Sequence, residues 1–195
     1  MRILLLLYLL CFTHSLQAKV EAGLNVGAMA PLFDSMDIAG KKFSLKEKLQ
    51  QGPVVIVFYR GGWCPYCNIQ LSDIERKLLP QLTKINVSLV AISSDKPDRL
   101  TTAALKNRLS FPVISDRELK IIQKYQLRQP LDAKTTQIYK DKLNFDVAEE
   151  VDKKITVPAV YVVNQKGNIV YAFAEFNYKV RAPHSDIVAA VKAAQ

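Results

Sequence analysis

Short apolar runs alternate with amphipathic stretches along this chain. Pro53 to Tyr59 reads Pro-Val-Val-Ile-Val-Phe-Tyr, continuous and β-branched, which predicts a strand buried on both faces. Gly61-Gly62 ends it. From Pro65 to about Lys84 the apolar positions Ile69, Leu71, Ile74, Leu78 and Leu82 recur at near-helical spacing, with Pro80 expected to kink or end the helix. Val87 to Ser93 predicts a second buried strand. A helix starting at Pro97 and running to about Leu109 follows, then a strand at 111–114 and a helix at 117–125. Phe33 to Leu45 carries the turn signal Asp37-Ile38-Ala39-Gly40-Lys41 and predicts a hairpin ahead of all these. Near the C-terminus, Ala159 to Val163, a turn at Asn164-Gln165-Lys166-Gly167 and Asn168 to Ala174 predict a second hairpin, and 185–194 a last helix. Residues 127–154 are polar and mixed, and read as an insertion with one short helix. The alternation implies crossover units on a central sheet flanked by helices, an α/β fold whose late hairpin makes the sheet mixed.

Composition adds an ordinary single-domain background: 195 residues, 49% hydrophobic and 23% charged. The N-terminus departs from it. Arg2 precedes an apolar run from Ile3 to Phe12, followed by more polar residues up to the small Ala18. That order is expected of a secretory signal peptide over 1–18, which leaves a mature domain at 19–195. The run is short for a retained membrane anchor, and Leu10 ahead of Cys11 disfavours a lipoprotein. The expected location is periplasmic or secreted, with no membrane attachment after cleavage. The net charge of +9 falls by one without Arg2. Lysines lie scattered among acids with no long basic tract, which reads as a solvated surface rather than a nucleic-acid site, and still favours acidic partners.

The leader changes the cysteine count. Of three cysteines, Cys11 leaves with it and only Cys64 and Cys67 remain. An exported pair meets oxidising conditions. Two cysteines three positions apart close too small a loop to staple a fold, so a structural disulfide is a poor reading. Zinc commonly takes four ligands, and beyond the two cysteines the mature chain supplies one histidine, His184. The context is a buried strand, a glycine turn and a helix start, with Pro65 suited to the first helical position. Cys64 then sits at or near the N-cap, facing unpaired N–H groups and the positive end of the helix dipole. Such placement lowers a thiol pKa from ~8.5 towards neutrality. Cys64 is the natural attacking thiol and Cys67 its sheltered partner.

At these residues the chain resembles the thioredoxin superfamily, and more narrowly the peroxiredoxin-like branch of the AhpC/TSA family. The resemblance runs from about Gly27 to Val191. It is carried by Ala30-Pro31-Leu32-Phe33, the hairpin through Gly40, Trp63-Cys64-Pro65-Tyr66-Cys67, Ala91-Ile92-Ser93, and Val157-Pro158-Ala159-Val160-Tyr161-Val162-Val163. The tetrapeptide matches that of glutaredoxins. The resemblance implies a thioredoxin-like fold with an N-terminal hairpin extension, and a cis proline at Pro158 opposite the cysteine pair. It also implies Trp63, Pro65, Tyr66, Val157 and Pro158 as a substrate-binding frame. Peroxiredoxins of this family carry Pro-x-x-x-Thr-x-x-Cys and a distant arginine. Laid on this chain, the peroxidatic position falls on Cys67, the threonine on Cys64, the proline on Arg60 and the arginine on Pro158. The groups that bind peroxide are thus absent from their usual places.

The expected function is thiol-dependent antioxidant oxidoreduction through a Cys64/Cys67 dithiol–disulfide cycle, without a cofactor. A thioredoxin-like or other dithiol reductant and a disulfide or peroxide substrate would be the partners. Alternatives are a peroxiredoxin proper, with Cys67 peroxidatic and Cys64 resolving, and a copper-binding thioredoxin-fold chaperone using Cys64, Cys67 and His184. A non-catalytic interaction domain built on 127–154 also remains open. Arg60, Lys179 and Arg181 are candidates for positive charge near the thiols, set against a reading as ordinary surface cations.

Overall fold

The computed structural model describes residues 22–143 and 154–195. The leader, and positions 144–153 of the expected insertion, lie outside the described residues. The chain opens with a hairpin, β1 (Asp34–Met36) and β2 (Lys42–Ser44). Its turn is organised by Asp37, whose Oδ1 accepts from the Ala39 and Lys41 N–H groups, and by Gly40 at φ 76°. Helix α1 (Leu45–Gln51) follows directly, capped by the Ser44 hydroxyl accepting from the Glu47 N–H.

Then come β3 (Val54–Phe58), α2 (Pro65–Asp73), a π-helical turn (Ile74–Leu78), α3 (Leu79–Thr83), β4 (Ser88–Ser93), α4 (Pro97–Asn107), β5 (Val113–Ser115) and α5 (Lys120–Lys124). The expected insertion contributes β6 (Arg128–Pro130) and α6 (Ala133–Leu143), and β7 (Lys154–Thr156) pairs antiparallel with β6. The chain closes with β8 (Ala159–Val163), β9 (Ile169–Ala174) and α7 (His184–Ala193). The five-stranded sheet has the order β5-β4-β3-β8-β9. β3, β4 and β5 are parallel, while β8 and β9 are antiparallel to their neighbours, the expected mixed sheet.

Pro80 neither ends the long helix nor sharply breaks it. The ladder widens one turn earlier into the π segment, where the Leu79 N–H reaches back to the Ile74 carbonyl. A proline lacks the donor that the preceding turn needs, and the wider turn absorbs that mismatch.

Residues on β3 divide the core by their alternation. Val54, Ile56 and Phe58 pack on one face with Tyr125, Tyr161 and α1. Val55, Val57 and Tyr59 pack on the other with Leu71, Leu78, Leu82 and both cysteines. The cysteine pair is therefore part of one core layer, at the end of a strand buried along its whole length.

Candidate redox site

Strand β3 delivers the chain to the sheet's C-terminal edge, where Arg60-Gly61-Gly62-Trp63 turns it into α2. Gly62 is required there. A Cβ at that position would lie 2.9 Å from both the Ala103 Cβ and the Arg99 carbonyl oxygen. The turn is pinned from two sides. The Gly62 N–H donates to Asp95 Oδ2 at 2.9 Å, and the Asn68 amide donates to the Gly62 carbonyl at 2.7 Å. Asp95 is fully buried and paired with Arg99 at 2.8 Å. Asn107 Nδ2 in turn donates to Asn68 Oδ1, tying α4 to the turn.

Cys64 is the N-cap of α2 and Pro65 occupies its first turn, as expected. Both cysteines are free thiols, and they are 1% and 0% exposed. Their environments push them apart. The Cys64 thiol is lowered to about 6, first by the hydrogen bond from the Cys67 thiol, against the opposing effect of burial. The Cys67 N–H and the Arg60 and Arg181 charges lower it further. Cys67 is raised well above the ordinary thiol value, first by burial and then by serving as donor to Cys64. The balance favours ionisation at Cys64, with Cys67 as its hydrogen-bond donor.

Arg60 and Arg181 are not ordinary surface cations. Arg60 is 2% exposed. Its guanidinium lies over three rings, at 4.2 Å from Tyr178, 4.8 Å from Tyr139 and 5.0 Å from Trp63. It also donates to the Tyr139 hydroxyl. Burial pulls the Arg60 cation down, and the two cysteines counter that. Arg181 Nη2 stands 3.8 Å from Cys67 Sγ. Lys179 is exposed, with its Nζ 5.8 Å from the Tyr66 ring, so the surface reading holds for it.

The expected substrate frame divides. Trp63, Pro65 and Tyr66 surround the helix start, with Pro65 and Tyr66 exposed. Val157 and Pro158 are buried. The Val157 side chain packs in the core layer opposite the cysteines, and its N–H donates to the Leu127 carbonyl. Pro158 stands at the correct end of the sheet, since Phe58 pairs with Ala159. The expected cis bond there is corrected, because the described residues contain no cis peptide. With its carbonyl accepting from the Glu175 N–H, Pro158 is held within the sheet as a trans residue.

Among the described residues no three histidine, cysteine or acidic side chains converge as a metal set. His184 begins α7 beside Tyr66, Asp73 and Arg181. This corrects the copper-chaperone reading, which needed His184 together with both cysteines.

Asp95, Tyr139, Tyr178 and Asn68 were not singled out from the sequence. For Asp95 a signal existed, a carboxylate just past the end of a buried strand at the sheet edge where α/β sites form. Tyr139 and Tyr178 come from the least readable segment and from a late loop, and only tertiary packing brings them to Arg60.

The comparisons with known proteins agree with this frame. Residues 26–172 match the AhpC/TSA family. The Escherichia coli (strain K12) protein named peroxiredoxin Bcp is 30% identical over 102 residues, covering 52% of this chain and 64% of that protein's length. The Bacillus cereus (strain ATCC 10987 / NRS 248) thiol-disulfide oxidoreductase ResA is 30% identical over 145 residues, covering 70% of this chain and 82% of that one. Among solved structures, a peroxiredoxin-like protein from Aquifex aeolicus superposes with a TM-score of 0.69 at 16% identity, over 90% of this chain and 91% of its own. Peroxidoxin BcpB from Mycobacterium tuberculosis gives 0.68 at 19% identity, over 90% and 99%. These structures share the fold, and the match across most of the sequence places the chain in the AhpC/TSA family.

Proposed function

We propose that this protein is an exported thiol–disulfide oxidoreductase in which Cys64 attacks and Cys67 resolves. The observation that carries the reading is the asymmetry of the pair: a stabilised thiolate at a helix N-cap beside a fully buried, protonated thiol. The Cys64 thiolate attacks one sulfur of a substrate disulfide. That S–S bond breaks, and the departing thiolate takes a proton from solvent. Once Cys64 is in the mixed disulfide, its negative charge no longer opposes ionisation of Cys67. Cys67 loses its proton and attacks Cys64 Sγ, releasing the second substrate thiol. The substrate has then gained two electrons from the pair and two protons, one from solvent and one released by Cys67, and a dithiol reductant restores the pair.

A second reading assigns peroxide attack to Cys67. It is favoured by Arg181 Nη2 at 3.8 Å and by the Arg60 N–H that bonds to Cys67. Against it stand the raised Cys67 thiol and the absence of any threonine or proline at the peroxiredoxin positions, which hold Cys64 and Arg60.

The pH dependence tests the first reading. A thiolate is the nucleophile, so reduction of a small disulfide should rise as pH increases through about 6 and level off above pH 7. Arg60→Met removes a buried charge that favours the thiolate, and should move the midpoint up by about one unit. A midpoint near the ordinary thiol value in the unaltered protein would remove Cys64 as the activated group.

Export rests on Arg2, the Ile3 to Phe12 run and Ala18. N-terminal sequencing of protein recovered outside the cytoplasm should begin at Lys19, and an intact Met1 would overturn cleavage.

A further inference from the structure

Beside the cysteine pair runs a groove of about 390 Å³ along the exposed side of α2, closed by the loop that leads into α7. Its size suits a short peptide segment. Tyr66 and Ile69 form an apolar wall, with Ile69 among the more exposed large apolar residues of the chain. Lys179 and Arg181 supply positive charge, while burial lowers the His184 imidazole below its ordinary value and keeps it out of the charge balance. The acid in the lining, Asp73, is engaged by Lys77 at 2.9 Å and Arg76 at 3.5 Å on its own helix. The groove is therefore basic in balance.

Arg181 brings its charge to the groove wall while its guanidinium donates to the Tyr178 and Val180 carbonyls. Arg181 also touches Cys67, so a single side chain links the groove to the redox pair.

We propose that this groove binds an acidic segment of a partner protein, next to the cysteine that exchanges with Cys64. The assignment names the substrate class of the exchange reaction and rests on that reading. An Asp or Glu of the partner pairs with Lys179 in the positive field of Arg181, and an apolar side chain lies against Tyr66 and Ile69. The chain's overall charge of +9 steers such partners in the same sense.

The test has two arms on the full folded protein. In the binding arm, cysteine-free pentapeptides with two acidic, two neutral or two basic residues are titrated at low salt. The acidic peptide should bind about tenfold tighter than the neutral one, and Lys179→Glu should remove that difference. Equal binding of all three peptides, or a preference that survives Lys179→Glu, overturns the groove. In the exchange arm, peptide disulfides with the same flanks are compared with a small neutral disulfide. Acidic flanks should speed exchange about tenfold at low salt, and Lys179→Glu should abolish that gain while leaving the neutral disulfide unaffected. No exchange with any disulfide, alongside selective acidic binding, removes the oxidoreductase reading and keeps the groove.

Discussion

Cys64→Ser should lower disulfide exchange by about a thousandfold or more, because it removes the activated sulfur of the pair. Cys67→Ser should behave differently. The serine hydroxyl can replace the Cys67 thiol as donor to Cys64, so the first attack survives and the mixed disulfide accumulates. Single-turnover kinetics with mass spectrometry separates the two outcomes. The same variants decide between oxidants. If Cys64→Ser still consumes one equivalent of peroxide and Cys67→Ser does not, Cys67 is peroxidatic and the proposed order of attack is wrong. The expected result is the reverse: Cys67→Ser forms a sulfenic acid at Cys64, which in the unaltered protein Cys67 captures with loss of water. The choice follows from local electrostatics. Two thiols in contact cannot both ionise, and the helix N-cap favours the first of them.

Phe58→Ala should destabilise the protein by about 3–5 kcal/mol. Phe58 is fully buried at the end of β3, with its ring 4.9 Å from Tyr125 and 6.0 Å from Tyr161. Removing it leaves a cavity among aromatic rings that cannot collapse into one another. Urea unfolding monitored by tryptophan fluorescence would report the loss as a lower midpoint. Phe58 packs on the opposite face of the sheet from Cys64 and Cys67. The folded fraction should therefore exchange disulfides at the unaltered rate and with the same pH midpoint. A changed midpoint would mean that the two core layers are coupled through the strand end.

Much of the frame was legible before folding was considered. The continuous apolar run at 53–59 became β3, Val87 to Ser93 contains β4, and the turn at Asn164–Gly167 joins β8 to β9. β3, β4 and β8 are strongly patterned because their side chains are buried on both faces of the sheet, while half-buried β9 was marked by its turn. Of the segment at 127–154 only a helix was legible. Its strands are three residues long and pair with each other across the helix Ala133–Leu143, so no local alternation announces them. The helix from Pro65 was visible, but not the π turn that lets it pass Pro80.

What the sequence determined by itself was the candidate redox centre. A CxxC motif between a buried strand and a proline-started helix places Cys64 at an N-cap through local backbone geometry alone, and the structure has it there. Tertiary structure alone decided what surrounds that centre. Arg60 became a buried cation because Tyr139 and Tyr178, 79 and 118 positions away, close over it. Arg181 reached Cys67 across a separation of 114 positions. Burial and charge depend on distances between remote segments, and those distances exist only once the sheet has assembled. The same assembly put Val157 and Pro158 inside the protein, where the family resemblance had implied part of a substrate-binding frame.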